Sequence, residues 1–126
     1  MKSFILFAFI SLGIAACNKD GILSNSNCGC FSPVIKNVQE RTGILNYGQL
    51  GNGKMVYTIT EPLGGAMYNI YVLCPDGNLK SFRKSHQLPL SVIFDGKLRN
   101  ICESEIGMHL DTYFFSKLSL TGIRKS

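Results

Sequence analysis

Leu90-Ser-Val-Ile-Phe-Asp-Gly-Lys-Leu-Arg99 is the stretch whose reading decides the fold. Leu90, Val92, Phe94 and Leu98 fall on one side of an extended chain, because side chains alternate faces with a period of two, so the segment reads as a strand with one buried face. Gly96 lies on that same side. A missing side chain there permits a bulge or a sharp coil, which a small barrel needs in order to close.

Working outward, the same strand chemistry recurs on both sides. Val34 to Asn46 carries β-branched and aliphatic residues and closes in Gly43-Ile44-Leu45-Asn46. The run from Asn46 to Gly53 holds three glycines and two asparagines and reads as the connection of a first hairpin. Met55 to Thr60 is a second strand, ended by Glu61-Pro62-Leu63-Gly64-Gly65. Met67 to Leu73 is a third, with Tyr68, Ile70 and Val72 on one face, and Pro75-Asp76-Gly77-Asn78 is a turn signal after Cys74. Leu79 to Leu88 is polar and basic, and a helical turn there sets Leu79 and Phe82 toward the core at a three-residue spacing. A loop from Cys102 to Phe115 leads to a last strand over about Lys117 to Ile123. Five short strands with one short helical or irregular insertion predict an all-β domain.

The N-terminus reads differently. Lys2 precedes an apolar run from Phe4 to Ile14, the charged and hydrophobic regions of a secretory signal. The run is about half of the roughly twenty residues that a membrane-crossing helix needs. It ends in Ile14-Ala15-Ala16-Cys17. This resembles the lipobox of bacterial lipoproteins: an aliphatic residue, two small ones, then a cysteine whose thiol takes a diacylglycerol. The resemblance implies a signal peptide over 1–16 and a mature chain that begins at a lipidated Cys17. Two or three acyl chains would hold it stably to a membrane, where one binds only marginally. Residue 18 is Asn. It is not the Asp that resembles an inner-membrane retention signal in enteric bacteria, so an outer-membrane address is expected, periplasmic or surface-exposed.

Residues 17–30 read as the lipidated cysteine and a flexible tether, rich in Asn, Ser, Gly and Asp, and 31–126 as the folded domain. Some ten extended residues reach at most about 35 Å, so the domain is expected to sit close to its membrane. About 110 residues remain after cleavage, one small domain able to bury a modest core. The chain is 45% hydrophobic and 17% charged, a globular composition. Without Lys2, twelve basic and eight acidic side chains give the mature part +4. That balance permits contact with acidic glycans or lipid headgroups. Nucleic acid is not an expected partner of an exported protein.

Besides Cys17 the chain has Cys28, Cys30, Cys74 and Cys102, an even number for an oxidising compartment. Four cysteines allow three connectivities. Pairing Cys28 with Cys30 across one glycine is the most strained, so cross-links between distant segments are expected. The alternative, a four-thiolate metal site, lacks the usual C-x2-C spacing, and no metal or cofactor is expected.

The run from Asn78 to Arg99 carries Asn-Leu near its start, a Phe-basic pair at Phe82-Arg83 and Leu-x-Val-x-Phe-x-Gly-Lys-Leu, and Leu118-Ser-Leu-Thr-Gly-Ile123 follows. Together these resemble a group of small Bacteroidetes lipoproteins of unknown function. The resemblance covers about half of the mature chain and implies a five-stranded OB-like barrel. The sequence departs from the group with Lys80 in place of a proline and Asp95 in place of a serine.

No catalytic constellation stands out. His86 and His109 have no acidic motif beside them, Glu103 and Glu105 read as a solvated patch, and phosphate-loop and nucleophile-elbow patterns are missing from the sequence. The candidate ligand site is the basic insertion: Lys80, Phe82, Arg83, Lys84 and His86, with Tyr71 as a nearby aromatic. Cations and aromatics on an OB-like barrel can hold oligosaccharides or nucleic acid, and a solvated loop or contact with lipid headgroups explains the same residues. The expectation is a non-enzymatic, membrane-anchored binding or interaction module of the cell envelope, with a glycan or an envelope protein as partner. The alternatives are a structural subunit of an envelope complex and a thiol-dependent enzyme.

Overall fold

The computed structural model describes residues 27–84, 86–107 and 111–126. The alternating stretches form five strands: β1 (Val34–Gln49), β2 (Met55–Gly64), β3 (Met67–Leu73), β4 (Leu90–Arg99) and β5 (Tyr113–Lys125). Helix α1 (Gly77–Lys84) separates β3 from β4, and the short α2 (Glu103–Ile106) separates β4 from β5. The strands close into a barrel in the order β1-β2-β3-β5-β4. All neighbours are antiparallel except β3 and β5, which run parallel. This is a small five-stranded all-β barrel with a helix between the third and fourth strands, consistent with the OB-like barrel expected.

Closure depends on β1, whose residues Ile44 and Leu45 pair with β2 on one side and β4 on the other. Its ladder to β4 slips between Val38 and Arg41, the irregularity that lets a long strand bend around a small barrel. Glu40 sits at that slip with φ 51°, and its N–H donates to Asp95 Oδ1 at 2.6 Å. Gly96 behaves as its place in the alternation requires. The β4–β5 register shifts between Asp95 and Gly96, and a Cβ at 96 would lie 2.6 Å from Leu118 Cδ1.

Leu45, Ile59, Tyr71, Val92, Phe94 and Leu118 fill the interior. Each large apolar side chain withdrawn from water there contributes roughly 1.5–3 kcal/mol. Leu79 of α1 joins this cluster and Phe82 packs against it, so the predicted three-residue spacing does face the core. Without that helix one end of the barrel would open to water.

Three elements differ in detail from the sequence reading. β1 continues to Gln49 because Tyr47 and Gly48 still pair, with Tyr57 and Val56. β5 starts at Tyr113, inside the stretch read as loop, because Tyr113 to Phe115 pair in parallel with Tyr68 to Ile70. β2 runs on to Gly64, through the residues read as its end, because Glu61 and Pro62 still pair, with Asn69 and Tyr68. In β3, Tyr71 and Leu73 belong to the core cluster, and Val72 on the other face is fully buried as well.

Cys28 bonds Cys102 and Cys30 bonds Cys74, with Cα separations of 5.0 and 5.8 Å. Both join distant segments, as expected from the strain of pairing 28 with 30. Residues 28–30, tether by composition, are thereby fixed to the barrel. Gly29 N–H also donates to Asn100 O at 2.7 Å. Cys17 and the whole of 1–16 lie outside the described residues, as does His109.

Candidate binding groove

Helix α1 and the β1–β2 hairpin meet at one end of the barrel. Tyr47 and Tyr57 are direct partners in the β1–β2 register, and their rings meet in a tilted contact, with centroids 4.5 Å apart and planes 43° apart. The antiparallel ladder itself causes this, since opposed side chains on one face are close enough for two rings to touch. Arg83, in the last turn of α1, sets its guanidinium carbon 5.4 Å from the Tyr57 ring centroid, a cation–π contact.

Between these elements lies a cavity of about 330 Å³ whose lining includes Tyr47, Lys54, Tyr57, Asp76, Lys80 and Arg83. Lys117 of β5 completes it, so four cations face one acid. Lys117 is itself buried, and its Nζ donates to Glu105 Oε2 at 2.7 Å. Glu105 therefore belongs to a half-buried ion pair rather than to the solvated patch expected of it; Glu103 is exposed. The change comes from α2, which turns Glu105 inward and holds it by the Cys102 N–H, 3.3 Å from Oε1.

The five residues singled out in the basic insertion divide. Lys80 and Arg83 line the cavity. Phe82 packs on the core and stacks on the His86 ring at 4.2 Å, and His86 Nδ1 lies 3.0 Å from the Phe82 carbonyl oxygen. Lys84 is exposed and is not among the cavity's lining residues. Tyr71, offered as a nearby aromatic, is only 2% exposed and points into the barrel. The aromatic surface comes instead from Tyr47 and Tyr57. A signal for them was present in the sequence as two tyrosines flanking the turn at 50–54, but pairing them required the hairpin register.

A second, half-buried polar cluster joins β1, β2 and β3 around the Tyr71 hydroxyl. Glu61 accepts from the Tyr71 hydroxyl at 2.5 Å, from Asn69 Nδ2 at 3.0 Å and from Arg41 at 3.0 Å. Burial opposes ionisation of Glu61, but the bonds from Asn69 and Tyr71 and the charge and bond of Arg41 outweigh it. They hold the carboxyl below its ordinary value. Burial, followed by the bond to and charge of Glu61, pushes Tyr71 up to about 12. Every member has a partner, so the cluster reads as a satisfied polar network.

Among the described residues no group of three His, Cys, Asp or Glu side chains is placed to hold a metal ion. Nor is any described helix long and apolar enough to cross a membrane. No protein-family model matches the chain, and no curated protein matches it.

Proposed function

We propose that this chain is a lipid-anchored protein of the cell envelope, held through Cys17 at an outer membrane, whose barrel is a non-enzymatic module that binds acidic glycans in the groove between α1 and the β1–β2 hairpin. One observation carries the ligand class: Lys80 and Arg83 from the insertion and Lys54 from the hairpin converge on a groove walled by Tyr47 and Tyr57. Tyrosine faces suit the apolar side of a sugar ring, and a guanidinium suits a carboxylate. The anchor rests on the lipobox-like Ile14-Ala15-Ala16-Cys17 behind a short apolar run.

The test presents the acylated chain in nanodiscs to carboxylated, sulfated and neutral oligosaccharides. Saturable binding to the acidic members, weakened by salt as exposed charges are screened, is expected. Replacing Lys54, Lys80 and Arg83 together with Ala abolishes it, whereas Lys84→Ala leaves it intact. Absence of saturable binding to every acidic glycan sinks the ligand class. Cell fractionation of Cys17→Ser tests the address, and a variant that still partitions with membranes sinks the anchor.

A second reading, a subunit of an envelope complex, draws support from Leu63, Met67 and Phe114, apolar side chains exposed by 43–48%. Crosslinking in intact envelopes separates the two readings, because a subunit yields one stoichiometric adduct through these positions.

A further inference from the structure

Phe31 is 98% exposed, yet the turn that presents it is fastened on both sides. Cys28 and Cys30 on one side of it are bonded to Cys102 and Cys74. Ser32 on the other side is buried, and both its N–H and its hydroxyl donate to Gly29 O, at 3.1 and 2.7 Å. Arg99 donates to the Ser32 carbonyl oxygen from β4. Gly29 supplies the φ of 93° that the turn requires. A large apolar ring fixed outward by two cross-links and several hydrogen bonds is held ready for a surface, because no ordering of the turn remains to be done on contact.

Its neighbours define that surface. Ile35 and Val34 follow at 59% and 41% exposure. Lys36 is exposed beside them, and Lys97 is exposed opposite Asn37 in the β1–β4 ladder. Glu103, next to the Cys28–Cys102 bond, is an exposed acid. Exposed apolar side chains with exposed lysines further along the same two strands match the interface of a bilayer, where rings enter the acyl boundary and ammonium groups stay with the headgroups. The chain outside the described residues points the same way. Only ten residues separate Cys17 from Cys28, and Phe31 lies three residues beyond.

We infer that the Phe31 turn, with Val34 and Ile35, docks on the lipid surface that holds the Cys17 anchor, and so fixes which face of the barrel meets the membrane. This rests on the anchor proposed above. Ten residues span at most about 35 Å when extended, so Phe31 is never far from the headgroups, and the docked turn adds a second point of attachment to the anchor.

The chain contains no tryptophan, so Phe31→Trp introduces a unique fluorophore. The acylated full-length variant is bound to vesicles of mixed zwitterionic and anionic lipid whose acyl chains carry bromine about 5–10 Å below the headgroups, the depth reached by interfacial apolar side chains. Leu63→Trp is the reference, near the end of β2 and about the length of β3 away from the Cys30–Cys74 cross-link. The expected result is a blue shift and loss of most emission at position 31, with position 63 unquenched. A chain that cosediments with vesicles while position 31 stays unquenched overturns the docking and leaves the anchor standing. A chain that fails to cosediment overturns both. A blue shift that follows protein concentration and ignores the lipid assigns the turn to a second copy of the chain and overturns the lipid as occupant.

Discussion

The Tyr71 hydroxyl donates to Glu61 Oε1 at 2.5 Å, linking β3 to β2 through side chains as well as through the ladder. The same oxygen also accepts from Asn69 and Arg41, so three strands converge on one carboxylate. A charged group survives half-buried only when its acceptors are filled. Tyr71 serves both demands, its ring packed edge-on against Phe94 at 5.4 Å and its hydroxyl on Glu61.

Tyr71→Phe keeps the ring and removes the hydroxyl. A loss of about 1–3 kcal/mol is expected, since Glu61 loses a donor while still partly buried. Urea denaturation with an unchanged m value, followed at the remaining tyrosines, measures it. A variant as stable as the parent would remove the network from any role in holding the barrel.

The pair also sets a pH window. Glu61 has a folded value below its ordinary 4.5, so its share of stability is present above about 4.5 and is lost as pH falls through the folded value. Tyr71 moves the other way, from 10.0 to about 12, so its share is present below 10 and is lost as pH rises toward 12. Thermal melts across the pH range should show a plateau between these limits. In Tyr71→Phe the alkaline decline should shrink.

Disulfide loss should matter more than any surface change. The two bonds close loops of 74 and 44 residues, and removing a native disulfide from a small domain typically costs about 2–5 kcal/mol. Cys30→Ala with Cys74→Ala is expected to lower the melting temperature by that equivalent. Alkylation of the native chain after denaturation without reductant should label none of Cys28, Cys30, Cys74 and Cys102.

Gly51 in the β1–β2 turn lies against the backbone of Ile106, where a Cβ would overlap the carbonyl. Gly51→Ala should therefore push the turn off α2 and cost about 1–3 kcal/mol, the usual penalty of overpacking. Gly48→Ala is the comparison, because a Cβ at 48 meets nothing within 4 Å. Equal melting temperatures for the two variants would refute the contact.

Residue order alone determined that there are five strands and where the body of each lies, though not the ends of β1, β2 and β5. Alternation with a period of two is a local property, and Leu90 to Arg99 states it so plainly that β4 spans the stretch residue for residue. Gly96 as a closure point, Leu79 and Phe82 as the inner side of the insertion, and disulfides between distant segments were legible for the same reason: each depends on spacing or on covalent strain. Only the tertiary structure decided which face of β3 turns inward, because alternation defines two faces without ranking them, and Tyr71 goes inside only where Glu61, Asn69 and Arg41 await its hydroxyl. It alone decided that Cys28 takes Cys102 and Cys30 takes Cys74. It also brought Tyr47, Lys54 and Tyr57 to Lys80 and Arg83, residues some thirty positions apart, since such distances are set by barrel closure and hairpin register, which are properties of the whole chain.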